Sequence, residues 1–332
     1  MTEIPTIDIG PFLHGSENDR EQVGALVADA CERIGFLIIG GHGIEQFELA
    51  RVLALTEAFF DLPQAEKDRW HPTGIASQRG YHGYETRGLA YTLGQDAPLD
   101  LRESLFLGPV DDHREHYAGM PEAASAYAPN IYPDEPAELR ESLIALYRRF
   151  DRLSADLLRI IARALSLPDD FFRDKIDRHF SIFACHHYPP LPQPPKPGQL
   201  RTGAHTDFGA LTILAMTEAT GGLEVHVGDP GGNGRWIPVR PAPGELVVNL
   251  GDMMARWTGD RWVSTLHRVA NPGSIEDPAS RRQTIGYFMH PNYDAEICCL
   301  QTCRPARGGE KYPPITAGAH IEAKIEKSHG AR

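Results

Sequence analysis

Apolar positions along the chain follow two rhythms, and the change falls near residue 180. Ahead of it the spacing is mainly helical. Residues 20–34 mix charged and small apolar residues, residues 46–60 offer Phe47, Leu53, Phe59 and Phe60 as core, and residues 136–167 align Leu139, Leu143, Leu146, Leu153, Leu157 and Leu158 in one stripe. Apolar residues three or four apart share a helix face, so each stretch predicts a helix with a buried side. Two short apolar runs break this pattern. IPTIDI at 4–9 predicts a strand, and GFLIIGGHGI at 35–44 predicts a strand running into a glycine turn. Residues 70–100 carry many glycines and aromatics with little periodicity, which reads as ordered loops near a site.

Beyond residue 180 the rhythm is strand-like. HHYPPLPQPPKPG comes first, with six prolines between Pro189 and Pro197 that exclude a helix. Apolar segments flank it, so it reads as a surface loop within one fold. LTILAM, GGLEVHV, RWIPVRP, ELVVNLGDMM, WVSTLHRVA and RQTIGYFMHP follow, separated by Gly-, Pro- or Asp-rich turns. Many short strands so punctuated predict a barrel or a double-sheet jelly roll. No fixed-period repeat is present. Residues 304–332 are polar and read as a partly helical surface extension.

Composition narrows the function classes. With 41% hydrophobic and 23% charged residues the chain reads as an ordinary soluble globular protein. A net charge of -12 argues against a nucleic-acid partner, which would call for a basic stripe. It leaves a small anionic substrate open, because a local arginine outweighs a diffuse field. No run of 18 apolar residues predicts a membrane span. The start, MTEIPTIDIG, lacks the basic region and apolar run of a secretory signal. Cys31, Cys185, Cys298, Cys299 and Cys303 are odd in number and form no CxxC pair, so they read as structural thiols of a reducing cytoplasm.

The candidate chemistry begins in GAHTDFG, which sets His205 and Asp207 two residues apart. On a strand, residues i and i+2 share a face, so one imidazole and one carboxylate can meet one metal. LHRV adds His267 on a later strand. Two histidines and a carboxylate on one face leave the opposite coordination positions open, as in the facial triad of non-haem Fe(II) oxygenases. An HxD pair also arises by chance, and zinc accepts the same ligands. RRQTIGYF places Arg282 and Thr284 two apart, on a face shared with Gly286 and Phe288. An arginine pointing into an apolar strand needs an anion, and with the threonine hydroxyl it could clamp a carboxylate. The competing reading is a surface arginine in a polar turn, which suits its neighbour Arg281.

The chain resembles the isopenicillin N synthase-like family of 2-oxoglutarate/Fe(II)-dependent oxygenases. The matching elements span nearly its whole length: IPTIDI, GFLIIGGHGI, DLRESLFLG, HYPP, GAHTDFGALTIL, GGLEV, the block WIPVRPAPGELVVNLGDMMARWTGDRWVSTLHRVANP, and RRQTIGYF. The resemblance implies a mainly β fold with helical additions, a double-stranded β-helix or jelly roll. It implies a single catalytic domain over 1–332, with a helix-rich part at 1–179, a jelly-roll core at 180–303 holding the iron site, and a C-terminal extension at 304–332. It implies His205, Asp207 and His267 as Fe(II) ligands, Arg282, Thr284 and Tyr188 as holders of the 2-oxoglutarate co-substrate, and dioxygen as oxidant. The reaction implied is oxidation, normally hydroxylation, of an unactivated C–H bond of a small molecule, with release of succinate and CO2. Two departures stand out. Thr284 occupies the serine of the family's Arg-x-Ser motif, and His186 replaces the first residue of Asn-Tyr-Tyr-Pro-Pro.

Other polar and aromatic residues are assigned by local context. Asn249 and Asp252 read as structural residues at a glycine turn, and Trp236, Trp257 and Trp262 as core or rim. Arg79, Tyr81, Tyr84, Phe106, His186, His226 and Phe288 are candidates for the substrate pocket. Phe208 should point away from Asp207 by strand alternation. The rival readings are a same-fold Fe(II) oxidase that does not use 2-oxoglutarate, a non-catalytic jelly-roll binding module, and a zinc hydrolase. The last needs a general base, for which Glu224 is the nearest and a weak candidate.

Overall fold

Fourteen strands are distributed over three sheets in the computed structural model, which describes residues 3–329 apart from 77, 91–96, 229–233, 307–308 and 310, with backbone alone for 327–329. In chain order they are β1 (Thr6–Asp8), β2 (Phe36–Gly40), β3 (Gly80–His82), β4 (Glu103–Leu107), β5 (Ile182–Tyr188), β6 (Thr202–His205), β7 (Leu211–Met216), β8 (Gly222–Val227), β9 (Arg235–Pro238), β10 (Leu246–Leu250), β11 (His267–Ala270), β12 (Arg282–Met289), β13 (Glu296–Ile297) and β14 (Ile315–Thr316). The large sheet runs β1-β2-β10-β7-β12-β5-β4-β3, the small one β6-β11-β8-β9, and β13 pairs with β14. This is the expected jelly-roll core with helices packed outside. β1 to β4 come from the helix-rich part yet lie in the same sheet as β5, β7, β10 and β12.

Alternation along β12 separates core from cavity. Ile285 and Tyr287 face outward to the helices, where Tyr287 meets the Tyr147 ring at 5.3 Å. Gln283 on the same side accepts from the Thr56 hydroxyl at 3.0 Å. Arg282, Thr284 and Phe288 face the other way and line an internal cavity. The helix Leu139–Ala164 supplies the outer layer. The six leucines named from the sequence are buried along it, with Tyr147 and Phe150. Burying one such side chain contributes roughly 1.5–3 kcal/mol, which holds the sheet's outer face dry.

Three expectations need correction. Phe47 is 70% exposed. It sits in the first turn of the helix Gln46–Phe60, whose buried face runs through Leu49, Val52, Thr56, Phe59 and Phe60. The C-terminal extension is not merely superficial. Its helix Ala317–His329 buries Ala317, His320 and Ile321, and Gly318, Ile321 and Ile325 line the cavity. The segment WVSTLHRVA is a strand only from His267 onward. Trp257 and Trp262 lie in the core, whereas Trp236 is half-buried beneath Arg268, 4.1 Å from its ring. Among the described residues, no helix is long and apolar enough to cross a membrane.

Candidate metal centre

His205 ends β6 and His267 begins β11, and the two are direct cross-strand partners. Their rings lie 4.2 Å apart between centroids. Asp207 follows in the turn after β6, not on the strand itself. That turn is pinned from outside: the Asp252 N–H donates to the Asp207 carbonyl at 2.8 Å and the Met253 N–H to the Gly209 carbonyl at 3.1 Å. Gly251 permits this approach, since a Cβ there would fall 2.2 Å from the Gly209 oxygen. Because the strand ends at His205, alternation fails beyond it, and Phe208 lines the cavity instead of pointing away.

The three side chains converge through one atom each. Asp207 Oδ1 lies 3.7 Å from both His205 Nε2 and His267 Nε2. All three residues are buried, and among the described residues no other set of three metal-capable side chains comes together. Every remaining atom is already engaged. His205 Nδ1 contacts the Gly203 carbonyl at 2.8 Å and His267 Nδ1 the Thr265 carbonyl at 3.0 Å. A carbonyl only accepts, so each Nδ1 carries the proton and each Nε2 presents a lone pair. Asp207 Oδ2 accepts from the Thr212 hydroxyl at 2.6 Å and Asn249 Nδ2 at 2.7 Å, leaving Oδ1 for a ligand. Burial, with His267 adding to it, pushes the His205 imidazolium down to about 3, so the ring is neutral at physiological pH. Burial pushes the Asp207 carboxyl up, but positive charge on the facing His267 and His205 rings whenever they are protonated, with the two hydrogen bonds, outweighs it and brings the group below the ordinary carboxyl value. Three convergent, unshared lone pairs with all partner atoms satisfied fit a divalent cation, and the two-histidine, one-carboxylate donor set is consistent with Fe(II).

A cavity of about 480 Å³ opens from this triad, and Arg282, Thr284 and Tyr188 lie on its wall. Arg282 is 4% exposed and, among the described residues, meets no carboxylate. Its Nη1 donates to the Thr217 carbonyl at 3.3 Å, Nη2 lies 2.9 Å from the Met216 sulfur, and Nε has no partner among the described residues. Gly222 (φ +117°) makes room for it: a Cβ there would fall 3.0 Å from Nη1. Burial lowers the Arg282 guanidinium to about 10, still charged at neutral pH. A buried cation with a weak sulfur acceptor and one idle donor is a site for an anion.

Comparison with known proteins agrees with this geometry. The model of the 2OG-Fe(II) oxygenase superfamily matches residues 179–291, and that of the N-terminal region of the non-haem dioxygenases of morphine synthesis matches residues 4–135. The 2-oxoglutarate-Fe(II) type oxidoreductase hxnY of Emericella nidulans is 32% identical over 99% of this chain and 91% of its own length. The chain belongs to the 2OG-Fe(II) oxygenase superfamily. A homoarginine-6-hydroxylase of Oryza sativa is likewise 32% identical, over 97% of this chain and 96% of its own. The crystal structure of a full-length Neurospora crassa protein in complex with alpha-KG and 5-formyluracil superposes with a TM-score of 0.81 at 27% identity, covering 98% and 96% of the two chains.

In this oxygenase the substrate candidates divide. Arg79, Phe106, His186 and Phe288 line the cavity, whereas Tyr81, Tyr84 and His226 do not. Tyr81 pairs with Leu105 on the outer side of β3, and its hydroxyl donates to Glu103 at 2.5 Å. Leu223 and Val225 take the inward positions of β8, so His226 faces out and packs against Trp236 at 5.1 Å. Tyr84 lies half-buried beyond β3. Arg79 reaches the cavity, yet its guanidinium donates to the carbonyls of Gln78, Ala126 and Ala128, which anchors the loop. Glu224 pairs with Arg268 at 2.8 Å and is not on the cavity wall. Asp252 meets Thr206 and Lys324 and holds the turn, as its place at the glycine suggested. Sequence reasoning missed the hold of Asn249 and Thr212 on Asp207. An asparagine within the fully buried LVVNL was the signal, because a buried amide demands a partner.

Proposed function

We propose that the chain is a 2-oxoglutarate-dependent Fe(II) dioxygenase that oxidises, normally by hydroxylation, an unactivated C–H bond of a small organic substrate, releasing succinate and CO2. The observation that carries this reading is Arg282, a buried cation on the wall of the triad's cavity that pairs with no carboxylate among the described residues. His205, Asp207 and His267 would hold the iron. Arg282 and the Thr284 hydroxyl would grip the distal carboxylate of 2-oxoglutarate, and Tyr188, whose hydroxyl lies 3.2 Å from Thr202 Oγ1, would close that end. When bound, the iron supplies the reduction of dioxygen, coupled to decarboxylation of 2-oxoglutarate, that makes C–H oxidation possible. The protein's residues bind, orient and exclude water. Thr212 and Asn249 fix which carboxylate oxygen faces the metal, and the backbone of Gly203 and Thr265 fixes the imidazole tautomers. Phe106, Phe208 and Phe288 give the substrate space an apolar lining that disfavours bulk water.

Names among the relatives, a 2-oxoglutarate-Fe(II) type oxidoreductase and a hydroxylase, support the same reaction class. The same reading treats residues 1–332 as one catalytic unit, supported by the shared large sheet. The test is a screen of small metabolites with Fe(II), 2-oxoglutarate and air. One succinate per oxidised product, with the product one oxygen heavier, is expected. Substrate-dependent oxygen uptake without succinate would instead indicate the oxidase that does not use 2-oxoglutarate, and turnover of nucleic acid alone would contradict the substrate class.

A further inference from the structure

The chain carries a net charge of -12, yet among the described residues its cavity wall bears four arginines, Arg79, Arg87, Arg102 and Arg282, against two carboxylates, Asp207 and Glu322. Asp207 belongs to the metal triad and Glu322 accepts from the Tyr293 hydroxyl. In the reading above, the +2 metal, Asp207, Arg282 and a doubly charged co-substrate sum to zero. Among the described residues Arg79 donates only to neutral carbonyls, so none of them cancels its charge where it sits. Among the described residues, Asp100 and Glu322 offset two of the three other arginines, so one positive charge remains here after metal and co-substrate are in place, and a low-dielectric cavity magnifies such an excess.

Arg102 is placed to use this field. Its side chain is 9% exposed. Nη2 lies 3.3 Å from Asp100 Oδ2, and Asp100 is fixed by the Gly203 N–H at 2.9 Å. Nη1 lies 3.4 Å from both ring nitrogens of His186. A donor equidistant from Nδ1 and Nε2 lies on neither lone-pair axis, and Nδ1 is already engaged by the Ser104 hydroxyl at 2.7 Å. The contact is therefore mainly packing, and it leaves Nη1 with no well-directed acceptor among the described residues. Ser104, His186 and Thr284 are cross-strand neighbours on β4, β5 and β12. Arg102 lies one residue before β4, and it lines the same cavity as Arg282. Arg102 leads into β4 and Arg282 begins β12, and two strand spacings, about 10 Å, separate those strands across β5. The two arginines flank β5 as two separate anion anchors, with the Phe106 ring packed beside His186 at 5.7 Å.

We propose that the substrate is a small organic carboxylate, and that Arg102 is the specificity residue that grips its carboxylate while Phe106 and Phe288 bound its apolar part. This rests on the 2-oxoglutarate reading, which assigns Arg282 to the co-substrate.

The probes are 4-fluorophenylacetate and its uncharged counterpart 4-fluorophenylacetamide, whose binding to the Zn(II)-loaded full chain with 2-oxoglutarate is measured by ligand-observed fluorine NMR. The affinity of 2-oxoglutarate itself is measured on the same samples. Wild-type protein should bind the acid at least 10-fold more tightly than the amide. Arg102→Met should bring that ratio close to one and leave 2-oxoglutarate affinity within twofold, and Arg102→Lys should keep most of the preference. Removing Arg102 strands the buried Asp100, so the double variant Asp100→Asn/Arg102→Met, which deletes both charges, reads the same ratio if the single variant folds poorly. No preference for the acid in wild type, whether both probes bind alike or neither binds, overturns the proposal. So does a preference that survives loss of Arg102, or a fall in 2-oxoglutarate affinity in its place, which would assign Arg102 to the co-substrate. Wild-type protein that prefers the acid but binds no 2-oxoglutarate would remove the co-substrate reading while supporting the Arg102 anion site.

Discussion

At the metal end of the cavity, each ligand is held by near neighbours in one small network: carbonyls two residues from each histidine, and two side chains on adjoining strands of the large sheet for Asp207. At the recognition end the wall is assembled from segments far apart in sequence: the loop around Arg79 and Arg87, β4 with Phe106, and the C-terminal helix with Ile321 and Ile325. The metal end is thus fixed by strand register and tautomer. The recognition end depends on how distant segments pack. The first can be disabled by one atom, whereas the second can be retuned by many small changes.

The largest effect should follow from losing a ligand. His205→Ala, Asp207→Ala and His267→Ala are each expected to take anaerobically reconstituted protein from one iron per chain toward none, by metal analysis. Full retention of iron by all three would break the comparison at its metal end. Next comes the support of Asp207. Asn249→Ala and Thr212→Val free Oδ2 and are expected to weaken metal affinity by about 10–100-fold, read by competition with a chelator. Unchanged affinity would mean that register alone holds the carboxylate. Smaller again is Thr284→Val, which removes one hydroxyl and should cost on the order of 1 kcal/mol in 2-oxoglutarate binding. Thr284→Ser should be close to neutral, since it keeps the hydroxyl.

The last effect is diffuse. Burial holds His82, His205 and His290 at about 3 and His320 at about 4. An unfolded histidine titrates near 6.5, so between about pH 6.5 and 4 the unfolded chain binds more protons than the folded one. Stability of the metal-free protein should therefore fall as pH drops through that window. Urea midpoints at pH 7.5, 6 and 5 should decline in that order, and a flat or rising series would contradict the neutral buried histidines.

What the sequence disclosed follows the same division. The triad was legible because HxD and a later histidine need only local spacing and one strand pairing, and the inward face of β12 was legible from period-two alternation through Arg282, Thr284 and Phe288. Alternation misled where a strand ends. Phe208 lies past the end of β6 and turns into the cavity. Tyr81 and His226 are residues of the right chemistry on the wrong face, which only register decides. The role of Asn249 required knowing that β10 lies beside β7, which brings it against Asp207 and Thr212. The C-terminal helix read as surface because its polar residues outnumber Ala317, Gly318, Ile321 and Ile325, and packing against Tyr293 is a tertiary fact that spacing does not contain.

The central claim is that the triad and Arg282 together hold one molecule of 2-oxoglutarate. Anaerobic calorimetric titration of the Fe(II)-loaded chain with 2-oxoglutarate, wild type against Arg282→Ala, tests it most directly. Truncating one partner of a buried charge pair costs about 2–5 kcal/mol, so the account predicts one site per iron in wild type, a loss of roughly 30-fold or more in Arg282→Ala, and iron retained in both. Equal affinity in the two proteins, or no binding in iron-loaded wild type, would contradict it.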